Sequence, residues 1–335
     1  MASCLIALGA NLGLRNQTLD AAVKDLQECD EIQSIRVSRY FETAPVGGPD
    51  GQGEFSNAAA RIETTLGPSQ LHQLLIEIEE RHGRVRIERW GERRLDLDLL
   101  LYDDIIQKTD RLEIPHPRMS FRRFVIEPAC QVAGDMVHAP SGCTIPQLWD
   151  QLQHAAPVIE LVSLPSPWMK QLCTTLSEEN PQGVVLNNYA ALQVPSQVTD
   201  FPELIQGGLI GLPDFRELLI PSSGQKAVVT PFSPLLFSWM AHKISEKMNT
   251  GSSLGSDMFL TSEYQPRLQV LWDTPYEIHL SSETREPLSE ENHRLWTQEL
   301  ADWFYEKNHG PLLHLGNHSV EAAAVEINAA LQAMV

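Results

Sequence analysis

Apolar residues recur with two different periods along the first 160 positions. Residues 4–8 form a short apolar run closed by Gly9, the pattern of a buried strand. Residues 16–26 carry Leu19, Ala22, Val23 and Leu26 at helical spacing, with Asn16 or Thr18 available as the N-cap. Residues 35–41 alternate apolar and polar positions and predict a strand. The Gly- and Pro-rich segment TAPVGGPDGQG, residues 43–53, predicts a loop, and residues 55–64 a further strand. Pro68 suits the first turn of a helix whose apolar face is Leu71, Leu74, Leu75 and Ile78, with Gly83 as its terminator. Residues 95–102 return to strand spacing.

The order β-α-β-β-α-β predicts an α+β first domain with a ferredoxin-like core, its helices on one face of an antiparallel sheet. Residues 124–132 and 145–152 predict added helices, and the domain is expected to span residues 1–160. The segment LPSPW predicts a linker over 161–170. Beyond it, GVVLNNYAAL, RLQVLWDTP and GPLLHLGN look like buried strands, and residues 233–248 and 320–334 like helices. Helices between apolar strands predict a second α/β domain over 171–335, with some parallel pairing.

Composition narrows the function. The chain has 335 residues and a formal net charge of -19, which disfavours non-specific binding to nucleic acid or to an anionic membrane. Its five cysteines are odd in number and never spaced CxxC, so they are neither a disulfide framework nor a zinc knuckle. The N-terminus lacks a basic region and no segment has the apolar length to span a bilayer. These features predict a soluble cytoplasmic protein, in which a local basic cluster could still bind a phosphorylated small molecule.

The stretch RWGERRLDLDLLLYDD departs from ordinary core chemistry. Strand residues two apart share a face, so Asp96 and Asp98 stand side by side while Leu95, Leu97 and Leu99 take the other face. Two adjacent carboxylates repel unless cations neutralise them, and arginine or magnesium would serve. A solvated acidic face is the plain alternative. Arg81, Arg84, Arg86, Arg89, Arg93 and Arg94 crowd just before the pair. Guanidinium forks match phosphate oxygens, so acids beside arginines are the parts of a phosphoryl-transfer site. Salt bridges to Glu79, Glu80, Glu88 and Glu92 would account for some of these arginines.

GRVRIERWGERRLDLDLLLYDD resembles the signature of 6-hydroxymethyl-7,8-dihydropterin pyrophosphokinase, roughly RWGPRTLDLD. ALGANLG, ETAPVGGPDGQGEFSNAA and LEIPHPRMSFRRFVIEPACQVAGD agree with that family in the same order, and the resemblance covers about residues 1–160. It implies transfer of the pyrophosphoryl group of ATP, the co-substrate, to the hydroxymethyl group of the pterin, with release of AMP, in folate biosynthesis. By motif position it implies that Asp96 and Asp98 hold two magnesium ions (Mg2+) and that Arg84 and Arg93 stabilise the transferring phosphates. Trp90 would close over the pterin, Phe55 and Phe124 would stack on it, and Asn57 would read its amide-like edge. Thr43, Pro45 and Val46 would line the pocket, while Glu79, His116 and Arg122 would contact the nucleotide. For Phe55 and Phe124 the plain alternative is core packing, for Asn57 a strand-edge amide, and for Glu79 a salt bridge to Arg81 or Arg84.

Glu92 and Arg94 stand where the family commonly has Pro and Thr, Pro117 follows His116 where some members carry an aromatic residue, and Phe55 replaces a frequent Tyr. The second half is outside the resemblance. Its tail faintly resembles the C-terminal part of deoxynucleoside or nucleotide kinases, but the phosphate loop GxxxxGK[ST] is missing: neither SSGQK nor GSSLGSD fits it. A non-catalytic α/β domain used for packing, homodimerisation or regulation is expected. The competing readings are a bifunctional protein whose second half binds nucleosides, and a pterin- or nucleotide-binding protein without transfer activity.

Overall fold

A computed structural model of the chain describes residues 1–47, 51–83, 92–164, 167–180, 184–185, 228–230, 266–273 and 290–334, with short pieces between 233 and 243. It divides into two compact units: Met1–Gln153 with Ala329–Val335, and His154–Asn328.

In the first unit, β1 (Ala2–Ala10), β2 (Ile32–Val37), β3 (Phe41–Thr43), β4 (Phe55–Thr64) and β5 (Asp96–Tyr102) form one sheet. The strand order is β2-β4-β1-β5, β3 also pairs with β4, and every pair is antiparallel. Helices α1 (Arg15–Gln27) and α2 (Pro68–Arg81) supply Leu19, Ala22, Leu26, Leu71, Leu75 and Ile78 to a core shared with Cys4, Ile6 and Leu8 of β1, Ile62 of β4, and Leu97 and Leu99 of β5. Each large aliphatic side chain buried there contributes about 1.5–3 kcal/mol. Gly83 lies just past α2 with φ +79°, a left-handed conformation that glycine adopts without Cβ strain.

Short pairs β6 (Gln107–Lys108) with β7 (Glu113–Ile114), and β8 (Val137–His138) with β9 (Cys143–Thr144), flank α3 (Arg123–Ala129). Helix α3 packs on β1, β3 and β4 through buried Val125, Ile126 and Ala129. Helix α4 (Ile145–His154) closes the unit.

Two local expectations are corrected. The strand predicted over 35–41 is interrupted: the Ser38 hydroxyl donates to Arg39 O at 2.8 Å and accepts the Ala59 N–H at 3.0 Å, taking the place of a ladder partner. Neither Asn16 nor Thr18 caps α1. The helix starts at Arg15 with Leu14 at the N-cap. Asn16 Oδ1 instead accepts from Ser56 Oγ at 2.7 Å, and Thr18 lies inside the first turn, donating to Leu14 O.

In the second unit, β10 (Ala156–Val162), β11 (Val184–Val185), β12 (Val228–Thr230), β13 (Pro266–Leu271) and β14 (Leu312–His314) pair in parallel in the order β11-β12-β10-β13-β14. With them run α5 (Pro167–Glu179), α6 (Glu290–Lys307) and the first part of α7 (Val320–Ala333), whose residues from Ala329 belong to the first unit. Val162, Leu271 and Leu312 pack against Leu300, Phe304 and Trp239. Buried Glu160 accepts hydrogen bonds from Ser233 Oγ at 2.9 Å and Gln269 Nε2 at 2.7 Å. The helix expected over 233–248 is described only in pieces; residues 235–236, 238–239 and 242–243 are helical, and Ser233 is not. SSGQK and GSSLGSD lie outside the described residues.

The segment 161–170 is not a linker between units, because the division falls at Gln153 and β10 pairs within the second sheet. Pro and Ser mark a strand-to-helix connection as well as they mark a linker. Among the described residues no helix is long and apolar enough to cross a membrane.

His138 is 3% exposed, and its Nδ1 lies 2.8 Å from Ser141 Oγ. Burial pushes its pKa down from 6.5 to about 4. The unfolded chain therefore binds more protons between those values, and stability is lost as pH falls from 6.5 towards 4. His138→Gln removes this term. On going from pH 7 to pH 5 the variant is expected to lose less stability than the parent, by on the order of 1–2 kcal/mol. Hydrogen exchange of the β1 and β4 amides, corrected for intrinsic rates, measures the difference; equal losses would contradict it.

Candidate active site

The site follows from strand register. Gly9 of β1 pairs with Asn57 of β4 on one side and Asp96 of β5 on the other, and Asn57 also pairs with Phe41 of β3. One row lower, Ala7 pairs with Ala59 and with Asp98. Directly paired residues share a face. Asn57, Gly9, Asp96, Ala7 and Asp98 therefore share the face opposite Leu8, Leu97 and Leu99. In these two rows the middle strand contributes only Ala7 and Gly9, the two smallest residues. A Cβ at Gly9 would stand 3.1 Å from Asn57 Oδ1, so a larger residue would push that amide aside.

At the β3–β4 end, Asn57 Nδ2 donates to Thr43 Oγ1 at 2.7 Å. Thr43 pairs with Phe55 across the ladder, and Pro45 and Val46 follow, half-buried. The amide is thus oriented by a hydroxyl, beside an aromatic ring. Phe124 is half-buried at the start of α3, with the Arg122 guanidinium 5.5 Å from its ring centre.

At the β5 end, Arg93 Nη1 donates to Asp96 Oδ2 at 2.6 Å. Burial alone would lower the Arg93 pKa, but the charge and hydrogen bond of Asp96, with Asp98 and Glu79 behind, hold it above its ordinary value. His116 reaches the same region: its backbone N–H bonds Leu100 O at 2.9 Å, and its Nε2 lies 3.9 Å from Asp98 Oδ2. Burial, reinforced by Arg122 and Arg118, pushes the His116 pKa down to about 3. It is a neutral imidazole at neutral pH, not half of an ion pair. Its Nδ1 accepts the Arg118 N–H at 3.2 Å, which leaves the proton on Nε2, the nitrogen nearer Asp98.

Of the residues singled out in the sequence, Thr43, Phe55, Asn57, Arg93, Asp96, Asp98 and His116 lie in or beside these two clusters. Arg122 acts electrostatically on His116, and Phe124 follows it in α3. Arg84 and Trp90 lie outside the described residues. Glu79 is placed differently from expectation. It is 1% exposed, and its Oε1 accepts the Leu97 backbone N–H at 2.7 Å. With no solvent-facing edge to offer a nucleotide, it supports the strand between the two aspartates. Sequence reasoning missed Gly9 and Asn11, although both lie in ALGANLG: a glycine inside a strand signals a close approach.

A family model described as 7,8-dihydro-6-hydroxymethylpterin-pyrophosphokinase (HPPK) matches residues 5–134, a span that contains every residue of the site. A Haemophilus influenzae 2-amino-4-hydroxy-6-hydroxymethyldihydropteridine pyrophosphokinase is 43% identical over 137 residues, 41% of this chain and 85% of the relative. The chain belongs to the HPPK family. Other HPPK relatives agree: the Synechocystis protein of the same name is 38% identical over 152 residues, 45% of this chain and 77% of its own. The Bacillus subtilis one is 42% identical over 127 residues, 38% and 75% respectively. A solved Plasmodium falciparum HPPK-DHPS structure aligns over 98% of this chain and 95% of that one at 12% identity and a TM-score of 0.34, a level from which no relationship is drawn.

Glu79→Ala would leave the Leu97 N–H buried without its acceptor, and is expected to cost about 1–3 kcal/mol of first-unit stability. Glu79→Gln keeps an acceptor oxygen and should cost less than half as much. Urea unfolding of the two variants checks this, and equal costs would refute the backbone role.

Proposed function

We propose that the first unit transfers the pyrophosphoryl group of ATP to the hydroxymethyl group of 6-hydroxymethyl-7,8-dihydropterin and releases AMP, a step of folate biosynthesis. The single observation that carries this reading is the row Asn57–Gly9–Asp96 across the sheet. It sets an amide suited to a heterocycle edge across the intervening strand β1 from the acid pair and its arginine.

The pterin is read as lying over Ala7 and Gly9, its amide-like edge on Asn57, between the rings of Phe55 and Phe124. Asn57 is preset by Thr43, so little ordering is left to binding. Asp96 and Asp98 fit a hard divalent cation: they are oxygen donors on one face of one strand, and a guanidinium already sits on Asp96. Two magnesium ions held there would neutralise triphosphate charge and favour the ionised acceptor hydroxyl. In this reading Arg93, kept charged by its acidic neighbours, turns from Asp96 to phosphate oxygens. Neutral His116 offers an Nε2 hydrogen-bond donor to the nucleotide without adding charge. Arg122 contacts phosphate in this reading. Arg84 and Trp90 take the roles the resemblance implies, on the phosphates and over the pterin.

The strand order β2-β4-β1-β5 supports reading the first sheet as ferredoxin-like. The catalytic domain is read as the first unit, residues 1–153 with the C-terminal segment from Ala329, and the second α/β domain as non-catalytic, serving packing, homodimerisation or regulation. No nucleic acid or membrane partner is included.

AMP release by the full-length protein, dependent on both magnesium and the hydroxymethylpterin, tests the function. Asp96→Ala and Asp98→Ala should each lower turnover by roughly 100-fold or more, with circular dichroism unchanged. Near-parental turnover in both variants would remove the metal assignment. Pterin binding without AMP release in the parent would replace transfer with binding alone.

A further inference from the structure

We infer that Asn11 is a positioning residue for the phosphate-handling arginine: it holds the Arg93 backbone from two sides, so that the guanidinium is aimed over the acid pair.

The ladder between β1 and β5 ends at Gly9 and Asp96. Arg93 lies three residues before Asp96, beyond the last ladder pair, where nothing in the sheet would hold it. Asn11, the residue after β1, supplies the hold. Its backbone N–H donates to Arg93 O at 3.1 Å, and its side-chain Oδ1 accepts the Arg93 N–H at 2.7 Å. One residue thus satisfies both backbone groups of Arg93. The second bond uses a side chain because the backbone carbonyl of Asn11 does not supply it. The third polar contact, Nδ2 to Gln52 Oε1, is long at 3.4 Å, so the weight rests on the Arg93 pair.

Asn11 is 6% exposed, and water cannot readily replace a lost bond there. From this fixed backbone the Arg93 side chain reaches Asp96 Oδ2 at 2.6 Å. An arginine on an unrestrained backbone would have to be ordered at each turnover. Misplacing a catalytic group by about 1 Å costs up to about 100-fold. Asn11 touches neither phosphate nor pterin in this account and acts only through Arg93.

The inference rests on the pyrophosphoryl-transfer reading, so its test includes a readout that does not need turnover. In the full-length protein, Asn11→Ala is expected to lower kcat by roughly 10-fold with a smaller change in the pterin KM. It should also weaken binding of a non-hydrolysable ATP analogue, measured by calorimetry. In an Arg93→Ala background the same substitution should cost less than about twofold in either readout, because the group it positions is gone. Asn11→Asp keeps the Oδ1 acceptor and should restore most of both. Equal losses with and without Arg93, or no rescue by Asp, would overturn the positioning role. Should Asn11→Ala fail to fold, Asn11→Asp against Asn11→Gln decides: Gln shifts the acceptor by one methylene and should lose analogue affinity, and equal affinity in the two would overturn it. Absence of AMP release in the parent would defeat the transfer reading while leaving the analogue-binding cycle interpretable.

Discussion

Strand β5 carries acids and leucines at alternate positions, and the period of two in a β-strand cannot serve both except in one register. Leu97 and Leu99 enter the core under α1 and α2, so Asp96 and Asp98 must face the other way. A slip of one residue would bury two carboxylates and expose two leucines. The whole site inherits this constraint. Once β5 is in register with β1, Gly9 and Ala7 stand beside the acids, and β4 then brings Asn57 and Ala59 to the far side of them.

That arrangement concentrates negative charge, and the surroundings respond in two ways. Arg93 neutralises Asp96 directly, and its pKa is held up by the carboxylates around it. His116 approaches Asp98 but stays neutral, because burial and two neighbouring arginines outweigh the attraction of the acids. A chain with a formal net charge of -19 thus keeps fixed positive charge beside this acid pair. The support behind the strand is also acidic: Glu79 accepts the Leu97 N–H from a buried position, and its charge adds to the field that keeps Arg93 protonated.

Much of the first unit was legible in the residues themselves. The helix from Pro68 was marked by a proline suited to its first turn and an unbroken apolar face, and β5 by its alternation. Polar residues were less legible. Asn16 looked like a helix cap and became a tertiary partner of Ser56; Ser38 looked like one more strand position and became a ladder break. Glu79 looked like a nucleotide contact, or a salt-bridge partner of Arg81 or Arg84, and proved to be buried against the Leu97 N–H. Each of these side chains has hydrogen-bond options at several distances along the chain, and local sequence does not choose among them. The Pro-Ser segment before Trp168 was ambiguous for a related reason: tight connections and linkers use the same residues, and only the pairing of β10 with β12 and β13 decides.

By itself the sequence determined which residues share a face, because helix and strand periods are properties of the local backbone: the acid pair on one side of β5, the leucines on the other, the apolar stripes of α1 and α2. It also determined the kind of chemistry available, through the residue types in its ordered motifs. Only the tertiary structure decided which faces meet. The row from Asn57 through Gly9 to Asp96 depends on pairing three strands separated by dozens of residues, and the grip of Asn11 on Arg93 spans 82 positions. Such contacts are selected by burial and register acting on the whole sheet at once, and no local window of sequence contains both partners.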